Sequence, residues 1–336
     1  MRTNLLSIGA LLACLFIAGC QDHRELGDPS QLQVQSVASG LAAPLGVATD
    51  PQGRLWVTEV AAGKVTLIMP DGQKYPVITG FNVAVSPENT PDGLNHLVYR
   101  DGMLYILHGV DEKLYKVNVA SFKPGDQPFM ASQLDSEPIG KFVLDYDFGP
   151  SDTQDSNLYN LTFGPDGDLY IADAGANAII KRSKTGQLSV FATVPGIPNP
   201  TMPMVGPPFV QSVPTGIVFD GQKFLVTTLL GFPFPADKAR IYQIDQAGNV
   251  SLYQEGFTSL VDIVLGANQR PIVLQVAQFG QMGPMPNTGR LLQSKNGQIS
   301  GLLQGLNLPT SIEAGTAANT YYLSSLADGT IQRVTY

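Results

Sequence analysis

The side chains able to do chemistry in this sequence are few, and they recur at one place in a repeated phrase. His96, Asn160, Asp262 and Ser311 each stand immediately before an apolar residue that anchors a short β-favouring run, with Gly46 and Gly216 at the two matching places. A second set, Glu59, His108, Asp173, Thr228, Gln275 and Ser325, closes the run that follows. Imidazole together with carboxylate suits several divalent ions, so His96, His108 and Asp262 or Glu59 make a candidate metal set that would open hydrolase or lyase chemistry. Ser311, His96 and Asp262 have the residue types of a nucleophile relay. A plainer role stands beside each: His96 bonded to water, and Glu59 and Asp173 bonded to backbone amides of the next turn.

The element that positions these residues is clearest in residues 157–192. An apolar run breaks at Gly164-Pro-Asp-Gly167, a cluster that favours a tight turn, and three further β-favouring runs follow, separated by turns near Gly175 and Gly186. That is a unit of four antiparallel strands. Copies of the phrase, marked by Gly46, His96, Asn160, Gly216, Asp262 and Ser311, recur at intervals mostly near the ~40 to 50 residues of a propeller blade. The last copy ends at Tyr336 without a fourth strand, and residues 31–37 form an alternating strand without a blade. Pairing the two closes the ring and removes an exposed edge. The expected fold is therefore all-β, a six-bladed β-propeller over residues 31–336, closed by its N-terminal strand pairing with the last blade.

Topology then sorts the loops. Turns such as residues 50–53, 101–102, 164–167 and 220–221 are short scaffold on one face. The long segments, residues 79–91, 120–156, 194–212, 230–238 and 277–287, are expected on the other, together with the starts of the inner strands. Long loops on one face of a rigid scaffold are where binding usually resides. They carry Met202, Met204, Phe209, Phe232, Phe234, Phe279 and Met282 among prolines and glycines, a rim suited to a small apolar or aromatic ligand or a protein partner. Packing of the loops on one another is the alternative. His96 and Asp262 belong to the second and fifth copies, opposite each other across the axis, so the relay's hydrogen bonds of ~2.6–3.2 Å are not expected.

Residues 1–19 read as a signal peptide, one positive charge followed by an apolar run shorter than the ~20 residues of a membrane span. They end at Leu15-Phe-Ile-Ala-Gly-Cys20, similar to the lipobox of bacterial lipoproteins, in which Cys20 would be lipidated and residues 20–30 would form a tether. The expected place is the periplasm or outer membrane of a Gram-negative host, anchored through Cys20. The only other cysteine, Cys14, lies in the signal, so no intramolecular disulfide is expected. The formal charge is −8, or −9 without Arg2, and no basic stripe exists to neutralise phosphates, so nucleic acid is not an expected partner. No cofactor is expected beyond the candidate divalent metal.

Phe163-Gly-Pro-Asp-Gly-Asp-Leu-Tyr-Ile-Ala-Asp173 resembles the NHL-type propeller repeat. The whole chain resembles the ScyD/ScyE family through Ser156-Asn-Leu-Tyr-Asn160, Val213-Pro-Thr-Gly216, Leu230-Gly-Phe-Pro-Phe-Pro235 and Gly256-Phe-Thr-Ser-Leu-Val-Asp262. It departs at Leu158, where the family commonly has proline, and at residues 267–271, which replace a GPDG-like turn. The resemblance implies a secreted propeller without a settled activity, and an aromatic ligand. Regucalcin-type lactonases differ where this chain has Gly46 and Pro214-Thr-Gly216, and no ligands of quinone-dependent sugar dehydrogenases are identified.

Overall fold

A computed structural model describes residues 32–86, 90–266 and 269–336. The signal sequence, Cys20, the tether and Gln31 lie outside the described residues, as do positions 267 and 268 of the fifth blade's first turn. Six sheets form the blades, each of four antiparallel strands, and the sheet of the first blade carries a short fifth strand besides. Their innermost strands are Pro44–Thr49, Leu94–Arg100, Leu158–Phe163, Pro214–Phe219, Leu260–Leu265 and Pro309–Ala314. The sixth blade takes its fourth strand from Gln33–Ala38, antiparallel to Thr330–Thr335 with Gln33 opposite Thr335 and Ala38 opposite Ile331. The ring is thus closed by strand pairing between the two ends of the described chain, as expected.

The strands form because their side chains alternate between two neighbours. Each blade is covered on both faces by the adjacent blades, so its two inner strands read as nearly continuous buried runs while the outermost strand stays largely exposed, and buried apolar clusters fill every seam. Trp56, Leu67, Leu104 and Ile106 fill the seam between blades one and two. Leu107, Leu158 and Ile171 fill the next, and Tyr170, Phe224 and Val226 the one after. Leu225, Ile263 and Val273, then Val264, Ile312 and Leu323, and finally Val47, Val57 and Ile331 complete the circle. The tight turns work as their composition requires. In the third blade Gly167 sits at φ +76°, a conformation costly for any residue with a Cβ, and Asp166 Oδ1 accepts the Asp168 amide at 3.1 Å.

One expectation fails. Residues 120–156 are not a single loop-face segment. They leave the end of the third strand of blade two, lay Phe129–Met130 parallel to the outer strand of blade one, and return as that second blade's own fourth strand, Asp135–Glu137. The stretch beyond carries the helix Ile139–Leu144, whose Gly140 amide donates to the Glu112 carbonyl in the turn after the second strand of blade two. The excursion covers the edge of blade one, which would otherwise present unpaired backbone groups.

Candidate functional site

Every blade has a register shift in the pairing of its first two strands, and it falls at the same place. The interruptions lie between Pro44 and Val47, Leu94 and Leu97, Leu158 and Asn160, Pro214 and Ile217, Leu260 and Asp262, and Pro309 and Ser311. A bulge re-aims the side chains it contains. Here it turns the ring residues toward the channel, where the free edge of each inner strand also faces.

Asp262 is the hub of that ring. Its Oδ1 accepts Asn160 Nδ2 and the Ile263 amide, both at 2.9 Å. Its Oδ2 accepts Ser311 Oγ at 3.1 Å and the Ile312 amide at 2.8 Å. His96 Nδ1 stands 3.9 Å from the same Oδ2, too long for a direct hydrogen bond. No direct hydrogen bond joins His96 to Asp262, as expected for residues of blades two and five, although the channel is narrow enough for the Asp262 carboxylate to bond blades three and six and approach blade two. The order is nevertheless not that of a relay, because the carboxylate lies between hydroxyl and imidazole. Burial pushes the Asp262 carboxyl up to about 7 despite its four donors and the His96 imidazole down to about 3.

The two places held by glycine in the ring, read from the sequence as space in the channel, are instead filled by neighbouring backbone. A Cβ on Gly46 would lie 2.7 Å from the His96 backbone, and one on Gly216 would lie 2.7 Å from that of Asp262. They permit inner strands to approach, a packing role.

Two further residues join the ring that sequence reasoning missed. Glu313 follows Ser311 by two positions on the same strand and so shares its side. Ser311 Oγ accepts the Val47 amide at 3.3 Å, and Glu313 Oε1 accepts the Thr49 amide at 3.0 Å, so the pair caps the free edge of blade one. Burial and the charge of Asp262 raise the Glu313 carboxyl to about 8, although the residue keeps some contact with solvent. Tyr159, inside the bulge, lays its ring 5.0 Å from that of His96.

The second set of polar residues is scaffold. Glu59 accepts the Ala42 amide at 2.7 Å, bonds the Thr66 hydroxyl, and pairs with Lys64 at 3.2 Å. Asp173 accepts Ser156 Oγ at 2.7 Å and the amides of Asn157 and Ala176 at 2.8 and 3.0 Å. His108 Nε2 meets the Asn82 carbonyl at 2.9 Å while Nδ1 accepts the Asp111 amide at 3.0 Å, which fixes a neutral ring. Thr228, Gln275 and Ser325 likewise bond backbone of their own blades. The metal set of His96, His108, Asp262 and Glu59 is thus not assembled, and among the described residues no three histidine, cysteine or acidic side chains stand close enough to hold a metal ion.

The rim is held by polar hubs. Asn199 donates to the Val205 and Pro207 carbonyls at 2.8 and 2.7 Å and accepts from Thr201. Thr288 Oγ1 bonds the Met285 carbonyl and the Gln278 amide at 2.7 and 2.8 Å. The apolar side chains are left outside: Met204 is 84% exposed, Phe209 66%, Phe232 58% and Met282 102%, with Met202 exposed too. Phe234 and Phe279 stack at 4.3 Å, joining blades four and five, and Phe232 meets Phe234 edge-on at 6.3 Å. A Cβ on Gly206 would lie 3.2 Å from Pro233, so the segments around Met202–Phe209 and Leu230–Pro235 converge.

Known structures share the fold. Virginiamycin B lyase from Staphylococcus aureus, as its selenomethionine-substituted form, is 15% identical, with 91% of this chain and 99% of that one covered at a TM-score of 0.53. A PQQ-bound aldose sugar dehydrogenase from Streptomyces coelicolor is 16% identical over 91% and 99% at 0.59. A gluconolactonase from Xanthomonas campestris is 10% identical over 90% and 89% at 0.60. Such identities carry the propeller fold and nothing finer. No family model matches the chain, and no curated protein matches it.

Against these neighbours the ring's own chemistry is modest. Asp262, Ser311, Asn160 and Glu313 each cap a backbone amide or one another, which is what an inner strand with an unpaired edge requires. His96 alone has a ring nitrogen, Nε2, buried without a partner.

Proposed function

We infer that this chain is an extracytoplasmic, lipid-anchored propeller of the ScyD/ScyE type that binds a small apolar or aromatic molecule on its long-loop face. The observation that carries the reading is the rim: the loops keep their shape through Asn199 and Thr288, not by burying their apolar side chains. Loops that packed only on one another would hide Phe209, Phe232, Met204 and Met282. Soft thioethers and aromatic rings suit an aromatic ligand, and a shape fixed beforehand lowers the ordering cost of binding. The test is isothermal titration with small aromatics, wild type against Phe232→Ser. Saturable binding weakened by the substitution supports the reading. Its absence, together with co-purification of a protein held through the same residues, would replace the ligand by a protein partner. Membrane attachment rests on the lipobox and is tested by Cys20→Ser, which should move the protein to the soluble fraction.

A second reading, an extracytoplasmic hydrolase or lyase, is favoured by one observation, the unpartnered Nε2 of His96 beside Asp262. The neighbours include a lyase and a gluconolactonase. The neutral imidazole there carries a free lone pair for a proton, but burial holds its basicity low. Turnover abolished by His96→Ala with binding retained would establish it.

A further inference from the structure

Blades four and five share one register in their outer halves, so each position there has a counterpart in the other blade. Their third and fourth strands, Ala239–Ile244 with Val250–Phe257 and Gly289–Lys295 with Gln298–Leu306, both shift register after the first and third residues of the third strand. The second residue of that strand is arginine in both, opposite Glu255 in blade four and Gln304 in blade five. Arg240 Nη2 donates to Glu255 Oε2 at 3.0 Å and Nη1 to the Tyr242 hydroxyl at 3.3 Å. Blade five has neither partner. Gln304 stands in place of the acid and Leu292 in place of the tyrosine, and among the described residues no acceptor meets the Arg290 guanidinium.

Arg290 instead lines two adjoining cavities. One, of about 490 Å³, lies among Leu292, Ile299, Leu302, Leu303 and Gln304. The other, of about 300 Å³, shares Arg290 and Gln304 and adds Gln278, Asn287 and Thr288. Both are of the order of small-molecule sites, one side apolar and the other polar, and Arg290 is the only charged residue lining either. Gly301, also on the apolar wall, keeps it open. It stands where blade four has Leu252, its φ is not left-handed, and a Cβ on it would meet no atom within 4 Å. Neither conformation nor packing requires glycine there, and glycine weakens a strand interior, so its place is that of a residue which lets a ligand approach.

We propose that this groove binds a small amphipathic monocarboxylate, its carboxylate on Arg290 and its alkyl or aromatic part along Leu292, Ile299 and Leu302. The planar guanidinium matches the two oxygens of a carboxylate, and the ligand takes the place that Glu255 holds on Arg240. The side-chain amides of Gln278, Asn287 and Gln304 are donors available to the same anion. One arginine balances one negative charge, and a chain of net charge −8 disfavours a more highly charged anion.

None of the exposed rim side chains Met204, Phe209, Phe232 and Met282 lines either cavity, so the proposal stands apart from the rim reading, and the experiment separates the two. The full chain is titrated calorimetrically at pH 7 with octanoate, butanoate and the neutral 1-octanol. Octanoate should bind at one site, tighter than 1-octanol by about tenfold or more, the range of a hydrogen bond to a charged group. It should also bind tighter than butanoate, since each buried methylene adds up to about fourfold. Arg290→Gln, at an exposed position, should lower octanoate affinity to that of 1-octanol and leave 1-octanol unchanged. Gly301→Leu should weaken both eight-carbon ligands, and Phe232→Ser should weaken neither; circular dichroism confirms that each variant is folded. Equal affinity for octanoate and 1-octanol, a preference that survives in Arg290→Gln, or undiminished binding by Gly301→Leu overturns the site. Octanoate binding lost in Phe232→Ser but kept in Arg290→Gln overturns it in favour of the rim. No saturable binding of octanoate overturns it and leaves the rim to its own titration with aromatics.

Discussion

Replacing Asp262 by alanine tests whether the ring is a structural device. The substitution strands four donors: the amides of Ile263 and Ile312, the Asn160 side-chain amide and the Ser311 hydroxyl. The two side chains can turn to other partners or to water, but the two amides are fixed in the strands. Leaving a buried donor unmet costs about 1–3 kcal/mol, so the pair gives about 2–6 kcal/mol. Removing a desolvated carboxyl that repels Glu313 offsets part of this, and a net loss of about 2–4 kcal/mol is expected. At about 2.1 cal/mol/K per residue, some 300 folded residues convert each kcal/mol into about 1.6 °C, so Tm should fall by roughly 3–6 °C. Asp262→Asn keeps one acceptor oxygen but turns an amide toward two donors, and should lose about half as much. Scanning calorimetry measures the total, and hydrogen exchange at Ile263 and Ile312 shows where it arises. A Tm within about 1 °C of wild type, with both amides still protected, would refute the hub.

Stability should fall as pH rises from about 6.5 to 8.5. Unfolded carboxyls titrate near 4, whereas Asp262 and Glu313 titrate at about 7 and about 8 in the fold, so the stability they contribute is complete at low pH and lost as pH rises through the folded values. His96, lowered to about 3, works in the opposite sense only below its unfolded value near 6.5, and burial lowers His108 too; the window above that isolates the acids. Melting curves of Glu313→Gln and Asp262→Asn should show a flatter profile there, and an unchanged slope would remove these carboxyls as its source. Phe232→Ser should leave Tm within about 1 °C, since its ring is exposed, whereas Phe234→Ser should cost about 0.5–1.5 kcal/mol beyond lost burial by breaking the stack on Phe279. Equal effects in thermal denaturation would show that the rim is one packed unit. Deleting residues 31–37 should lower Tm and promote association in size-exclusion chromatography, because the strand Thr330–Thr335 loses its partner.

The architecture could be read because repetition makes local signals reinforce one another. Asp-Gly turns, period-two runs and a missing fourth strand in the last copy all point to one closed ring, and the pairing of Gln33–Ala38 with Thr330–Thr335 follows from counting strands. The path of residues 119–134 could not be read in that way. Nothing local in Phe129-Met130 announces pairing with blade one; it is a contact between blades, fixed by which edge lies nearby.

The ring residues were legible as positions, but their roles depend on a distance that repetition does not encode, the width of the channel. A wide channel would leave His96 and Asp262 solvated and independent, and glycines would open a gap. In this narrow one the glycines admit neighbouring backbones, and side chains from one blade cap the strand edges of another. Glu313 did carry a signal. Two residues beyond the ring position the other blades have Ala48, Val98, Thr162, Val218 and Val264, so a single acid interrupts a set that is otherwise uncharged. A carboxyl buried there without a lysine or arginine costs stability unless it is protonated or meets a cation. Capping the Thr49 amide occupies one of its oxygens and explains its place beside blade one. Serine or asparagine would accept the same bond, so the carboxyl adds a pH dependence that capping the strand edge does not require.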